Sequence, residues 1–141
     1  MEPVNVFDYE QLAQGRMAGH LWDFFQGGSD DEVTMRECRA AFERIRLRPR
    51  VLVDVSAIDM RTEVLGTPVA MPMLIAPTAA QCVAHPEGEC ATAQAAGRAG
   101  TIMIASTVAT RTLEEIAQAA SGPLWFQLYV YPTLEVAAQL V

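Results

Sequence analysis

The chain has 141 residues, 51% hydrophobic and 19% charged, with a formal net charge of −7. That is the composition of a globular domain with room for a core, and it excludes a disordered segment. The negative balance argues against nucleic acid and anionic membrane as partners, and with arginine at all 10 Lys+Arg positions a Schiff-base or phosphate-loop lysine is excluded within these residues.

Cys38, Cys82 and Cys90 form no CxxC pair. An odd number without a framework predicts reduced, buried thiols in a cytoplasmic protein. The N-terminus shows no basic and apolar leader pattern, and the most apolar stretch is broken by Pro68, Pro72, Pro77 and Gln81, too short to span a membrane. His20 and His85 lack a carboxylate or second histidine at ligand spacing, so no metal site is expected. No GxGxxG, Walker A or GxSxG motif is present.

In chain order, Asp8 with Gln11 predicts a helix start, with Phe7 stapling to Leu12, and Gly15 and Gly19 divide the helical pattern before Gly27-Gly28 stops it. Ser29 with Glu32 predicts a second capping box, opening a helix that ends near Arg48-Pro49. Its arginines read as solvated faces. Two short apolar runs around Gly66-Thr67 predict a hairpin. Residues 1–66 therefore read as a helical cap and hairpin, and 67–141 as what they cover.

From Met71 the pattern alternates. Met71–Ala76 predicts a strand buried on both faces, ending at Pro77-Thr78-Ala79. His85-Pro86-Glu87 opens an Ala-rich helix stopped by Gly100, with Glu87 and Glu89 favourable to its dipole. Thr101–Ala105 predicts a second strand ending at Ser106-Thr107; Thr112 with Glu115 caps a helix from Leu113 to Ala120; Leu124–Val130 predicts a third strand; and Thr133–Val141 a last helix. This β-α-β-α-β-α order predicts an α/β fold with a parallel sheet. With no stop signal before Val141 and three βα units that leave edges open, the expectation is the N-terminal portion of a TIM, or (β/α)8, barrel, which typically needs about 250 residues.

Ligands in such folds sit at the C-terminal strand ends. Small side chains at Pro77-Thr78-Ala79 suit a flat ligand, and Ser106 offers a hydroxyl. Gln127 and Tyr129 fall on one strand face, opposite Leu124, Phe126, Leu128 and Val130. Spacing alone leaves two readings for that pair, a ligand site or a satisfied core amide beside a snorkelling tyrosine.

The segments WDFFQGGSDDEVT (22–34), FERIRLRPRVLVDVS (42–56), VLGTPVAMPMLIAPTA (64–79), AHPEGE (84–89) and WFQLYV (125–130) together resemble the FMN-dependent 2-hydroxy acid oxidases and dehydrogenases, the glycolate and lactate oxidase family. The resemblance implies a (β/α)8 barrel with a helical cap that oxidises an L-2-hydroxy acid to the 2-oxo acid, with FMN as cofactor and oxygen or another acceptor taking the electrons. It implies that Pro77, Thr78 and Ala79 meet the flavin ring through their backbone, that Ser106 and Gln127 hydrogen-bond the isoalloxazine, and that Tyr129 contacts substrate as an active-site tyrosine. Trp22 stands where the family usually has a carboxylate-binding tyrosine; its indole N–H donates one hydrogen bond and accepts none. Val108 stands where glycolate oxidases usually have a tryptophan that closes the pocket. The family's later strands carry a lysine, the histidine base and a substrate arginine, so the 141 residues are expected to be an inactive portion of a homo-oligomeric, tetrameric parent. Alternative readings are a non-catalytic βα-repeat binding or assembly module and another FMN-barrel oxidoreductase.

Overall fold

A computed structural model describes residues 2–140. They form two compact units divided after Ala57.

The first unit carries α1 (Val6–Gln14), α2 (Gly19–Gln26) and α3 (Val33–Arg44). The cap of α1 is Asn5 and not Asp8. Asn5 Oδ1 accepts from the N–H groups of Phe7 (2.8 Å) and Asp8 (3.1 Å), while the Asp8 carboxylate turns back to the Val4 N–H at 2.9 Å. Gly15 and Gly27 end α1 and α2 where the sequence marks breaks. The expected Ser29–Glu32 box does not form. Glu32 itself precedes α3 with φ 56°, and its carboxylate accepts from the Gly28 N–H at 3.0 Å. None of the three helices buries a residue. Cys38, expected to be buried, is exposed on α3, and Cys82 and Cys90 are half-buried free thiols.

The second unit opens with the hairpin β1 (Thr62–Val64) and β2 (Thr67–Val69), paired antiparallel. Its turn residues are Leu65 and Gly66, with φ 47° and 78°; Thr67 already lies in the strand. Two successive left-handed residues match the twist of a tight hairpin. Met71–Ala76 does not form the expected buried strand. Pro72 and Pro77 have no N–H to give, and the Met73 N–H turns back to the Met71 carbonyl at 2.8 Å. Only Ile75 pairs, bridging Met103 in parallel, and Met73 and Ile75 remain exposed.

The rest is α4 (Gln81–Ala84), α5 (Gly88–Ala99), β3 (Met103–Ser106), α6 (Leu113–Ala119), β4 (Leu124–Gln127) and α7 (Leu134–Leu140). Val141, the end of the expected last helix, lies outside the described residues. Gly100 stops α5 in the left-handed region. The Thr112–Glu115 capping box forms as expected, with the Thr112 N–H on Glu115 Oε2 (2.9 Å) and the Glu115 N–H on Thr112 Oγ1 (3.2 Å). β3 and β4 pair in parallel, Met103 opposite Leu124 and Ser106 opposite Gln127. Their helix-facing side builds the core. Ala93 and Ala96 of α5 and Ile116 of α6 pack with Met103 and Ala105, and Leu124 and Phe126 close against them. A Cβ at Gly97 would strike Ser121 and Gly122, so two glycines let α5 rest on the turn into β4.

Candidate functional site

Alternate peptide groups of a strand point to opposite edges. Ile102 and Ile104 of the β3 segment bond Ile75, through Ile75 N–H to Ile102 C=O (2.9 Å) and Ile104 N–H to Ile75 C=O (3.0 Å). The other edge of β3 pairs with β4. Three chain segments therefore end side by side, leading into Pro77-Thr78-Ala79, Ser106-Thr107-Val108 and Gln127-Leu128-Tyr129.

Ser106 and Gln127 are register partners, so their side chains share the face opposite the helix layer. Ser106 is buried, and its hydroxyl donates to Gln127 Oε1 at 3.4 Å and accepts from the Val108 N–H at 3.2 Å. The Thr107 N–H also donates to Gln127 Oε1, at 3.4 Å. The amide oxygen is thus held by the protein, while the Gln127 Nε2 donors have no partner among the described residues. The expected strand to Val130 stops at Gln127. There the Thr107 hydroxyl donates to the Gln127 carbonyl and accepts from the Tyr129 N–H at 3.0 Å, replacing ladder bonds with a side chain. Tyr129 is half exposed at 52%, with its backbone fixed and its phenol accessible.

The Pro77–Ala79 loop is tied to the β3 loop by the Ala80 N–H on the Val108 carbonyl at 3.2 Å. Val108 lies on that loop, 46% exposed. Trp22 stands on α2 of the first unit, half-buried, its backbone N–H bonded to the Ala18 carbonyl at 3.0 Å. His85 is exposed, and its Nδ1 accepts from the Glu87 N–H at 3.3 Å. Among the described residues no group of three or more His, Cys, Asp and Glu is arranged to hold a metal ion, and no helix is long and apolar enough to cross a membrane.

One element the sequence reading passed over is Glu89, treated there only as a dipole-favouring acid. It is completely buried. Its carboxylate accepts from the N–H groups of Gln81 (3.1 Å) and Thr110 (2.8 Å) and from the Thr110 hydroxyl at 2.7 Å. Burial pushes its carboxyl up, but the Thr110 and Gln81 hydrogen bonds outweigh that and hold it below the ordinary glutamate value. A signal was available: Glu89, Ala93 and Ala96 recur at i, i+4, i+7 on the buried face of α5, which puts a charge in line with core alanines.

Polar groups and small residues collected at the ends of parallel strands, with helices on the far face, define a βα-repeat protein of the barrel class whose ligand end is the C-terminal end of its strands. The matches to known proteins agree with that. The FMN-dependent dehydrogenase family matches residues 13–141. An L-lactate oxidase from Nostoc sp. is 50% identical over 99% of this chain and 39% of its own length; a glycolate oxidase from Spinacia oleracea is 50% identical over 100% of this chain and 38% of its own. A soluble mutant of the membrane-associated (S)-mandelate dehydrogenase from Pseudomonas putida superposes with TM-score 0.93 at 39% identity, over 99% of this chain and 40% of that one. A mandelate oxidase superposes with TM-score 0.92 at 37% identity. The chain belongs to the FMN-dependent dehydrogenase family, and its fold is the N-terminal portion of a (β/α)8 barrel. It spans about two fifths of the length of the relatives it matches.

The residues present fit an isoalloxazine ring. Ring carbonyls need donors, and Gln127 Nε2 and the N–H groups of Thr78 and Ala79 meet no acceptor among the described residues. The small side chains at Pro77–Ala79 leave the backbone open to a flat face.

Proposed function

We propose that these residues form the flavin-facing opening strands of an enzyme that oxidises an L-2-hydroxy acid to the 2-oxo acid, with lactate or a longer acid preferred over glycolate. The observation that carries the reading is the Ser106–Gln127 pair at adjoining strand ends beside Pro77–Ala79, in a chain of an FMN-dependent family. FMN, when bound, supplies the two-electron acceptor. Thr78 and Ala79 would meet the ring through backbone N–H groups and Pro77 through its small surface. Ser106 fixes the Gln127 amide oxygen, which aims the Nε2 donors at the ring edge. Tyr129 hydrogen-bonds the substrate hydroxyl or carboxylate. Val108 leaves room for the substrate's side chain.

The 141 residues contain no lysine, and of their two histidines His20 lies in the first turn of α2 and His85 is the C-cap of α4. The base, lysine and substrate arginine accordingly come from outside this chain, and the chain alone does not turn over. The parent works as a cytoplasmic tetramer and passes electrons to oxygen or another acceptor.

The test is expression of the full-length enzyme, identification of its released flavin, and kcat/KM on L-lactate, glycolate and 2-hydroxyoctanoate. Gln127→Leu should weaken flavin retention and Tyr129→Phe should lower kcat/KM about tenfold or more. An enzyme that purifies without flavin and oxidises none of these acids would sink the reading.

A further inference from the structure

A carboxylate shut away from bulk solvent and hydrogen-bonded by neutral donors is costly to keep. Glu89 is 0% exposed, and its partners are all neutral donors, including the Cys82 thiol, whose Sγ lies 3.8 Å from Oε2. What the charge gathers is specific. Its Oε1 accepts the Gln81 N–H at 3.1 Å, from the start of α4 just after Pro77–Ala79. The same oxygen accepts the Thr110 N–H at 2.8 Å, from the loop after Ser106. Thr110 Oγ1 lies 3.0 Å from Oε1 and 2.7 Å from Oε2, and accepts from the Cys82 N–H at 3.0 Å, crossing back to α4. Gln81 extends the link outward. Its Oε1 accepts from the Thr92 hydroxyl at 2.6 Å and its Nε2 donates to the Thr78 carbonyl at 3.3 Å. The Ala80–Val108 backbone bond closes the same gap nearer the site.

A neutral amide in this place has one acceptor oxygen for four converging donors, the N–H groups of Gln81 and Thr110, the Thr110 hydroxyl and the Cys82 thiol; a carboxylate has two, with about four lone-pair directions. Charged acceptors also make the stronger hydrogen bonds. Gly88, next to Glu89, has φ 46°, and a Cβ there would run into Cys82. The backbone at the start of α5 is thereby pressed against the loop the carboxylate holds.

We propose that Glu89 is a positioning residue, an anionic clasp that sets the spacing between the Pro77–Ala79 loop and the Ser106–Val108 loop and so fixes where a bound flavin ring lies relative to Gln127. The inference rests on the functional reading above. Glu89 touches neither ring nor substrate; it acts through Gln81, Thr78 and Thr110.

The test uses the full-length holoenzyme with Glu89→Gln, Thr110→Val, Thr110→Ser and, as an exposed control, Glu87→Gln. The readouts are the visible circular dichroism of the bound flavin, the kcat and KM for L-lactate, and thermal unfolding. Glu89→Gln is expected to alter the flavin dichroism and lower kcat about tenfold or more with a smaller change in KM. Thr110→Val should move the same readouts in the same direction by less, Thr110→Ser should restore them, and Glu87→Gln should leave them alone. If Glu89→Gln lowers only the melting temperature while the folded holoenzyme keeps its dichroism and kcat, the residue is structural and the proposal fails. Should Glu89→Gln not fold, the Thr110 pair decides by the same criteria. Absence of flavin and turnover in the unmodified enzyme would overturn the functional reading instead. The clasp is then read from amide exchange at Gln81, Cys82 and Thr110, which Glu89→Gln must accelerate together, and unchanged exchange would overturn it too.

Discussion

The Tyr129 N–H donates to the hydroxyl of Thr107 at 3.0 Å, and the same hydroxyl donates to the carbonyl of Gln127. One side chain on the β3 loop thus holds the chain on both sides of Leu128, just where β4 stops. The geometry makes Thr107 the anchor for Tyr129. Thr107→Val keeps the shape and removes both bonds, worth about 0.5–1.5 kcal/mol each in stability. The larger expected effect is on turnover, because a shift of about 1 Å in a substrate-contacting group can cost about a hundredfold. In the full-length enzyme kcat/KM for lactate should fall more than Tyr129-independent flavin retention does. A Thr107→Val enzyme with unchanged kcat/KM would show that Tyr129 does not depend on this anchor.

Local chemistry was legible in the sequence wherever donor and acceptor lie within a turn of each other. The Thr112–Glu115 box and the Gly100 stop need nothing beyond four or five residues, and both form. Where two good caps compete, spacing cannot choose. Asn5 and Asp8 are both cap residues, and Asn5 takes the role by reaching two N–H groups at once. The apolar run Met71–Ala76 predicts a buried strand, but its prolines and the Met73 back-turn leave one bridging residue. β4 stops at Gln127 and not at the expected Val130, while the polar end of β3 at Ser106, after its apolar run, was legible. Glu89 was not, because its partner Thr110 lies 21 residues away and an acid near a helix start already has a sufficient local explanation.

The folded Glu89 carboxyl sits below the ordinary glutamate value of 4.5. Its contribution to stability is therefore fully present above that value and is lost as pH falls through the lower, folded one. Glu89→Gln should cost about 1–3 kcal/mol of unfolding free energy near neutrality, from weakened bonds to buried donors. The difference between the two proteins should shrink steadily as pH drops below 4.5. Urea unfolding of both across pH 3 to 7 measures it. A gap that stays constant, or widens in acid, contradicts the assignment of Glu89 as an ionised clasp.

Taken alone, the 141-residue chain should unfold without a sharp transition. Among the described residues the buried hydrophobics are Val69, Ala93, Ala96, Ile102, Met103, Ala105, Ile116 and Ala137, half of them alanine, while Met73, Val130 and Leu134 are largely exposed. So small a core leaves little to offset chain entropy of about 1–2 kcal/mol per residue. Circular dichroism through a urea titration, with a hydrophobic dye added, tests this. A steep cooperative transition in a dye-silent monomer would contradict it.

The same chain should bind FMN weakly. The candidate ring contacts are backbone N–H groups and the Gln127 amide, and in barrels of this class the phosphate is held by the loops after strands seven and eight. With the phosphate left in water, only ring edge and face contribute. Flavin fluorescence on titration should show no saturation near about 1 μM, whereas tight binding at that level, about −8 kcal/mol, would mean the phosphate has a site among these residues.

Substrate size follows from Val108. Its backbone is held from two sides, the N–H on Ser106 Oγ and the carbonyl on the Ala80 N–H, both at 3.2 Å, so the side chain's origin is fixed while 46% of the residue stays exposed. A tryptophan, as glycolate oxidases usually have at the matching position, would fill that space and close over a two-carbon acid. Valine leaves it open. Each methylene that a longer substrate seats there contributes about 1–3 kcal/mol of discrimination, which is about ten- to two-hundredfold in kcat/KM. The full-length enzyme should therefore prefer lactate or 2-hydroxyoctanoate to glycolate, and Val108→Trp should shift the preference back toward glycolate mainly by losing activity on the longer acids. The three kcat/KM values, measured on both proteins, decide the matter. If the unmodified enzyme already favours glycolate, a bulky side chain from elsewhere in the enzyme fills the space beside Val108, and residue 108 does not set substrate length.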